Sequence, residues 1–247
     1  NASTLNELPV HPDFDDPRVP STSLFPNWDI QSASVAGRRN NYARFCDVVP
    51  NGGPNGEPVY YRTDQHWTQS AADATAQATA DLIHQLVPKL AGAAGTGLAL
   101  GAISKERRYG DLAERFLSPE QRRSAGREIF TVRRQTQTTG LLDAAIAPVH
   151  VTGNSMVQPY FGFPQKLSNL IDRPVSVNWK PGDVGFWSVL IEYLESAAFR
   201  QQPPQVVVWQ LFEPNFHLGP DAEGLWDAAS VLSAQDWSRR LGAALPA

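Results

Sequence analysis

The chain has 247 residues, a formal net charge of −4 at pH 7 and a hydrophobic content of 42%. This composition is typical of a globular protein that buries its own core, and it excludes a largely disordered chain. The acidic balance provides no general field for a nucleic acid, so we expect no nucleic-acid partner. The single cysteine, Cys46, excludes an intramolecular disulfide, and no apolar run reaches the length of a membrane span.

The first part of the chain divides into a leader and the start of a domain. Residues 1–30 contain prolines spaced among polar residues, which predicts an extended leader without regular structure. We expect residues 31–247 to form one domain. A short apolar segment at 58–61 predicts a strand, and a helix is expected over 68–90 with Thr68 as its N-cap. The predicted face of this helix consists of Ala71, Ala74, Ala78, Leu82 and Leu86.

The middle of the chain predicts an insertion. Residues 91–101 are rich in Gly and Ala and indicate a linker, and a polar, Arg-rich stretch follows it. Residues 128–132 alternate in a way that predicts one strand within that stretch. We therefore interpret about 91–148 as an insertion that lines an acceptor groove.

The last hundred residues alternate between predicted strands and helices. Strands are expected from Val149 onwards, at 176–179 and at 205–211, with helical runs over 158–171 and 186–194. Alternating strands and helices favour a layered α/β domain around a mainly parallel sheet.

Asp64 and His66 place a carboxylate and an imidazole two residues apart. A strand keeps such residues on one face, where the Asp can accept the Nδ1 proton and leave Nε2 free as a base. Taken alone, an Asp-x-His pair is more often a polar pair on the surface, so this motif indicates a catalytic site only together with a nucleophile.

The best candidate nucleophile is Ser155, which follows the predicted strand at Val149. Gly153 allows the sharp turn that a nucleophile needs, and open α/β sheets place their active sites at the carboxyl ends of strands. Taken alone, a Gly-x-Ser segment is usually a plain turn. The turn that ends at Gly185 is a second candidate part of the site, since a backbone N–H there could stabilise an oxyanion.

Four segments resemble a known family. They are residues 61–72, with the Arg-Thr-Asp-Gln-His-Trp-Thr block, the Gly-Asp-Leu element at 110–112, the Gly-Asn-Ser segment at 153–155, and the closing strand at 204–213. Together they resemble the alginate O-acetyltransferases of the AlgJ and AlgX type, SGNH-hydrolase-like proteins of bacterial exopolysaccharide acetylation. The resemblance extends from about residue 42 to 217.

The resemblance implies an SGNH-hydrolase-like fold in which the catalytic residues occur in circularly permuted order. Carried over by position, it makes Ser155 the nucleophile, His66 the general base and Asp64 the carboxylate that orients the base. The sequence departs from the family at Asn154, where related motifs carry Asp or Thr.

The resemblance and the neighbouring residues also predict the surroundings of the triad. We expect Asn154 and Gly185 to supply oxyanion donors. We expect Arg62, Trp67 and Tyr160 to bind the substrate, since flat aromatic rings can stack on sugars. No metal or organic cofactor is expected, because the sequence has neither a His/Cys cluster with ligand spacing nor a glycine-rich phosphate loop.

The function that the resemblance implies is a periplasmic O-acetyltransferase. It would move an acetyl group through a serine acetyl-enzyme onto hydroxyls of an exopolysaccharide such as alginate. The implied partners are the polysaccharide acceptor and a membrane-bound O-acyltransferase that delivers the acetyl group, with this protein a monomer in a larger export complex. Association with the inner membrane through a segment outside this sequence stays open.

Two other functions remain alternatives at this point. A carbohydrate acetyl-esterase would use the same three residues but pass the acetyl group to water. A catalytically silent polysaccharide-binding subunit would bind polymer without using Ser155 at all.

Overall fold

A computed structural model describes residues 58–133, 147–211, 215 and 218–245. The predicted leader at 1–30 and residues 134–146 of the predicted insertion lie outside these residues. The helices are α1 Gln69–Leu86, α2 Asp111–Phe116, α3 Pro119–Ala125, α4 Phe163–Ile171, α5 Phe186–Leu194, α6 Ala197–Gln201 and α7 Ala234–Ala244. The strands are β1 Ile103–Arg108, β2 Glu128–Arg133, β3 Val149–Gly153, β4 Val175–Trp179 and β5 Val206–Trp209.

A three-stranded parallel sheet forms the centre of the described structure. Its strand order is β4-β3-β5, so β3 lies in the middle, with Val149 paired to Val175 on one side and to Val206 on the other. Valine-rich segments of this kind are typical of strands covered on both faces. The predicted parallel α/β sheet is confirmed, and the carboxyl ends of all three strands meet at one edge.

The two faces of the sheet pack against different helices. Val149 and Val151 point into the larger core, which contains buried residues of α1 and α4. Alternate residues point the other way, where Val207 and Trp209 pack against the buried side chains of α5 and α6. The sheet is therefore a middle layer between two sets of helices, as the α/β prediction requires.

Helix α1 is the longest described helix and begins as predicted, with the Thr68 hydroxyl accepting the Ala71 N–H at 3.3 Å. It ends at Leu86 rather than at residue 90, and Leu86 is exposed. Its buried residues are Gln69, Ala71, Ala72, Ala76, Ala80 and Ile83, so the predicted face was largely wrong. Alanines on every side of the helix leave the period of the pattern ambiguous.

The predicted insertion contains a small antiparallel unit. Strands β1 and β2 pair along their full length, from Ile103 opposite Arg133 to Arg108 opposite Glu128. Helices α2 and α3 connect them, and α3 begins with a capping box in which Ser118 and Gln121 bond each other's backbone N–H. The strand predicted at 128–132 is confirmed as β2.

Residues 58–61 do not form the predicted strand. In place of a strand ladder, Tyr60 forms an isolated antiparallel bridge to Trp67, seven residues further along the same loop. The segment therefore pairs with itself rather than with the sheet. No helix among the residues that the structure describes is long and apolar enough to cross a bilayer.

Candidate active site

The segment 58–68 is a closed loop that presents Asp64 and His66 at its tip. The Thr68 N–H donates to the Val59 carbonyl at 2.9 Å, and the Tyr61 N–H donates to the His66 carbonyl at 3.3 Å. Val59 and Tyr61 are buried in the larger core and hold the base of the loop. The loop thus positions the two polar side chains without a regular strand.

Asp64, His66 and Ser155 form a hydrogen-bonded line. His66 Nδ1 lies 2.6 Å from Asp64 Oδ1, and His66 Nε2 lies 2.8 Å from Ser155 Oγ. Because a carboxylate only accepts, Nδ1 carries the proton and Nε2 accepts the serine hydroxyl hydrogen. Asp64 and His66 are buried, whereas Ser155 is half-buried. The structure therefore brings the three predicted side chains together, with the imidazole between the other two.

Hydrogen bonds keep Asp64 ionised although it is buried. Burial raises the pKa of Asp64, but donation from the His66 ring, the His66 N–H and the Asp111 N–H outweighs burial and lowers the pKa below its ordinary value. The two backbone donors lie 2.9 and 3.1 Å from the carboxylate oxygens. A carboxylate that stays charged can hold an imidazolium beside it.

The loop tip is anchored by residues far away in the sequence. Glu128, the first residue of β2, accepts the N–H of Arg62 at 2.7 Å and the N–H and hydroxyl of Thr63 at 3.0 and 2.8 Å. Asp111 accepts the N–H and side-chain amide of Gln65 at 3.0 and 2.6 Å. The anchoring role of Glu128 and Asp111 was not predicted from the sequence, because these residues lie 46 to 66 positions from their partners and no local pattern indicates the contact.

Gly110 explains one element of the sequence resemblance. A Cβ at this position would overlap the Thr63 carbonyl oxygen and lie 2.7 Å from the Asp64 Cβ. Its N–H donates to the Thr63 hydroxyl at 3.2 Å. The glycine therefore allows β1 and α2 to approach the loop closely, and the next residue, Asp111, can then reach Asp64.

Ser155 lies at the carboxyl edge of the central strand. Strand β3 ends at Gly153, and residues 155–157 form a 3-10 turn whose N-cap is Asn154. The Asn154 side-chain oxygen accepts the Met156 N–H at 2.9 Å, which holds the turn. A Cβ on Gly153 would lie 2.8 Å from Gln210 Oε1, so only glycine fits beside the end of β5. The predicted strand and the turn that follows it at Ser155 are present.

The backbone near Ser155 supports part of the predicted oxyanion site. The Ser155 N–H donates to no acceptor within the described residues. The Asn154 N–H is already used, since it donates to Gln210 Oε1 at 3.3 Å. The Asn154 side-chain nitrogen remains as the donor that this residue can offer.

Gly185 does not present the predicted oxyanion donor. Its N–H donates to the Gly182 carbonyl at 3.3 Å, which closes a 3-10 turn. Its α-carbon faces the Trp226 indole, so that a Cβ would lie 2.8 Å from the ring. A φ of +76° and this close contact account for the glycine, and the prediction of an oxyanion role for Gly185 is contradicted.

Aromatic and charged side chains surround the imidazole. The Phe161 ring stacks on His66 with ring centroids 4.5 Å apart. Beside it, the Tyr160 hydroxyl donates to Glu106 at 2.8 Å and accepts from Arg108 Nε at 3.3 Å. Arg108 also brings a guanidinium nitrogen to within 3.8 Å of the buried triad carboxylate. The predicted substrate residue Tyr160 is therefore close to the triad.

The other two predicted substrate residues differ in their surroundings. Arg62 is exposed, and its guanidinium donates to the Ala125 carbonyl at 2.7 Å. Trp67 is 5% exposed and packs against Phe163 in the core. A buried indole has no face to offer a sugar, so the structure contradicts the prediction for Trp67.

Three acidic and imidazole side chains lie close enough to suggest a metal site. Ligand atoms of Asp64, His66 and Asp111 all lie within 4.8 Å of one another. Each carboxylate is already bonded to protein donors, Asp64 to His66 and Asp111 to Gln65. The donor set fits a hydrogen-bonded triad better than an ion site.

A second serine–histidine pair lies on the opposite face of the sheet. His150 Nδ1 is 2.7 Å from Ser176 Oγ, and Nε2 is 2.7 Å from Asn178 Oδ1. Asn178 donates its own amide N–H to the Val189 carbonyl, which fixes the amide orientation and makes Nε2 the donor of the imidazole. The Tyr193 ring stacks on the imidazole at 3.3 Å. The imidazole of His150 is thus bonded to the amide of Asn178, whereas the imidazole of His66 is bonded to the carboxylate of Asp64.

The parallel sheet and the serine–histidine–aspartate line at its carboxyl edge define an SGNH hydrolase-like protein. Residues 41–213 match the model of the family described as SGNH hydrolase-like domain, acetyltransferase AlgX. The chain belongs to this family.

Individual relatives are distant in sequence. The alginate biosynthesis protein AlgX of Pseudomonas putida is 25% identical over 187 residues, which is 69% of this chain and 36% of the relative. AlgX of Azotobacter vinelandii is 23% identical over 180 residues, or 71% of this chain and 37% of the relative. The chain thus spans little more than a third of these proteins.

A solved structure agrees on the fold. The O-acetyltransferase domain of Pseudomonas putida AlgJ superposes with a TM-score of 0.57 at 24% sequence identity. The match covers 75% of this chain and 61% of that domain's chain. This likeness confirms the predicted SGNH-hydrolase-like fold.

Proposed function

We propose that this protein is an O-acetyltransferase that carries an acetyl group on Ser155 and passes it to a hydroxyl of an exopolysaccharide of the alginate type. The observation that carries the proposal is the line of hydrogen bonds from Asp64 through His66 to Ser155. The chain belongs to a family whose description names an acetyltransferase, and this supports acetyl transfer rather than another reaction of the same three side chains.

In the first half-reaction, Ser155 Oγ attacks the acetyl carbonyl of a donor ester while its proton moves to His66 Nε2. Asp64 stabilises the imidazolium that forms. The tetrahedral oxyanion is held by the Ser155 N–H and by the side-chain nitrogen of Asn154. The donor's alkoxide then leaves and takes the proton from Nε2, which completes the acetyl-serine.

In the second half-reaction, His66 Nε2 removes the proton of a sugar hydroxyl. The sugar oxygen attacks the acetyl carbonyl, and the same donors hold the second oxyanion. When the bond to Ser155 Oγ breaks, the serine oxygen recovers its proton from the imidazolium. The products are an acetylated sugar and the free enzyme, and no cofactor is consumed.

The names of two relatives support a setting for this reaction. Two of them are named as alginate biosynthesis proteins. We infer that this protein acts in the periplasm, on a polysaccharide in transit. A membrane-bound O-acyltransferase would deliver the acetyl group there, and the protein would act as a monomer within an export complex.

The test is the intact mass of the protein after incubation with p-nitrophenyl acetate, with and without alginate oligosaccharides. We expect wild type to gain an acetyl adduct, to lose it when the oligosaccharide is added, and to leave acetylated sugar. Ser155→Ala should show neither. The matched control is Ser176→Ala, which removes the exposed serine 2.7 Å from His150 and should behave as wild type.

Other outcomes would contradict the proposal. Acetate released at the same rate with and without oligosaccharide would identify an esterase. An adduct that survives in Ser155→Ala would place the nucleophile elsewhere. Oligosaccharide binding without any adduct, for several acetyl esters, would indicate a catalytically silent binding subunit.

A further inference from the structure

Trp179 lies beside the turn that carries Ser155. It is the last residue of β4, and its Cα pairs with that of Gly153, two residues before the serine. The ladder continues for one more bond, since the Lys180 N–H donates to the Gly153 carbonyl at 3.2 Å. The end of β4 and the nucleophile turn are therefore held side by side at the same edge of the sheet.

The pleat of β4 places Trp179 on the same face as that turn. Residues two apart share a face of a strand, so Trp179 points to the side of Val175 and Val177. Both valines pack against the core cluster that contains Met156 and Val157, the residues that follow Ser155 in the 3-10 turn. The Trp179 side chain and the turn at 155–157 therefore lie on the same face and at the same edge of the sheet.

The exposure of Trp179 sets it apart from the other tryptophans that the structure describes. Four of them donate their indole N–H to backbone carbonyls and Trp67 is buried, whereas Trp179 is 36% exposed. No ring contact and no N–H bond joins Trp179 to another described residue. The four bonded pairs are Trp187 with Leu218, Trp209 with Phe186, Trp226 with Gly219 and Trp237 with Trp187.

We propose that the Trp179 indole is a platform on which a pyranose ring of the acceptor polysaccharide stacks next to Ser155. The inference rests on the proposed function, because it assigns the acceptor subsite of that same reaction. A pyranose presents a face of C–H groups, and a rigid indole offers a large apolar surface at little cost in side-chain entropy. Because the contact is apolar, salt does not screen it.

The experiment is calorimetric titration of alginate oligosaccharides into wild type, Trp179→Ala and Trp179→Phe at low and high salt. We expect Trp179→Ala to weaken binding about tenfold. Trp179→Phe should stay close to wild type because it keeps a flat ring. The control is Phe116→Ala, which removes an even more exposed aromatic from the end of α2 and should change nothing.

A second measurement separates this proposal from the catalytic one. Acetylation of Ser155 by p-nitrophenyl acetate needs no sugar, so Trp179→Ala should form the adduct at the wild-type rate. Its KM for the oligosaccharide should rise about tenfold in transfer. Unchanged affinity in Trp179→Ala, or equal loss in Trp179→Phe, would overturn the platform. The titration decides this even if wild type forms no adduct.

Discussion

The two serine–histidine pairs that the structure describes differ in the residue that bonds to the other nitrogen of the histidine ring. His66 bonds to a carboxylate and His150 to an amide, although the serine distances differ by only 0.1 Å, at 2.8 and 2.7 Å. A carboxylate stabilises the imidazolium that forms when serine gives up its proton, and an amide oxygen does so much less. Distance alone therefore does not make Ser176 a second nucleophile.

Replacing Asp64 with asparagine tests this difference directly. Asp64→Asn keeps the shape of the side chain but removes the charge and can stabilise the wrong tautomer of His66. We expect the rate of Ser155 acetylation to fall by roughly 10³ to 10⁴. The matched control is the exposed Asp183→Asn, which should retain the wild-type rate. A rate for Asp64→Asn within tenfold of wild type would count against the proposed role of the carboxylate.

The convergence of Asp64, His66 and Ser155 could be predicted from the sequence, whereas only part of their surroundings could. The spacing of Asp64 and His66 and the glycine before Ser155 are local signals, so they could be read directly. The anchoring role of Glu128 depends on a contact across the chain. Trp67 follows a polar motif that gives no sign of burial. The sequence predicts a turn that ends at Gly185, but it does not show that this turn uses the Gly185 N–H.

At the scale of elements, the junction between β1 and α2 supports the loop that carries Asp64 and His66. Gly110 lies at this junction and contacts Thr63 and Asp64 so closely that no side chain fits. Its φ of −79° is ordinary, so the requirement for glycine is purely one of space.

Gly110→Ala should damage the site more than the fold. The added methyl group must displace the loop that holds Asp64, and overpacking of this kind costs about 1–3 kcal/mol of unfolding free energy. A displacement of about 1 Å at the triad can cost about 10²-fold in rate. Urea denaturation and Ser155 acetylation measure the two effects. Gly182→Ala, which has open space around it, is the control. Wild-type activity in Gly110→Ala would refute this account.

Elements with strong local signals were predicted well. The bounds of α5 agree with the prediction of 186–194, because a glycine precedes a dense apolar run. The face of α1 was misjudged because alanine recurs on all its sides. Segment 58–61 has the composition of a strand, and only the course of the whole chain decides that it closes a loop instead. The proposed domain limits of 31–247 stay a prediction.

At the scale of the whole molecule, His150 makes the stability of the sheet depend on pH. It lies in the central strand and is 3% exposed. Burial lowers its pKa to about 4, against a smaller opposing effect of the Asn178 hydrogen bond. Between pH 6.5 and about 4 the unfolded chain binds one proton more than the folded protein, so acid favours unfolding in this window.

We expect the free energy of unfolding to fall by on the order of 3 kcal/mol from this residue as pH drops from 7 to 4. Urea denaturation across that range measures the loss. His150→Gln should be less stable at pH 7 but should flatten this part of the pH dependence. The exposed His84→Gln should keep the wild-type slope. An unchanged slope in His150→Gln would show that other groups dominate acid unfolding.

The bond between His66 and Ser155 joins two parts of the molecule that are held in place separately. The histidine loop is fixed by β2 and by the junction before α2, and the serine turn is fixed by the parallel sheet. The proposed proton transfer across the 2.8 Å between His66 Nε2 and Ser155 Oγ therefore depends on how the histidine loop is positioned on the sheet. A displacement that would stop this transfer is far smaller than unfolding requires, so the proposed activity and the folded state can be lost as separate events.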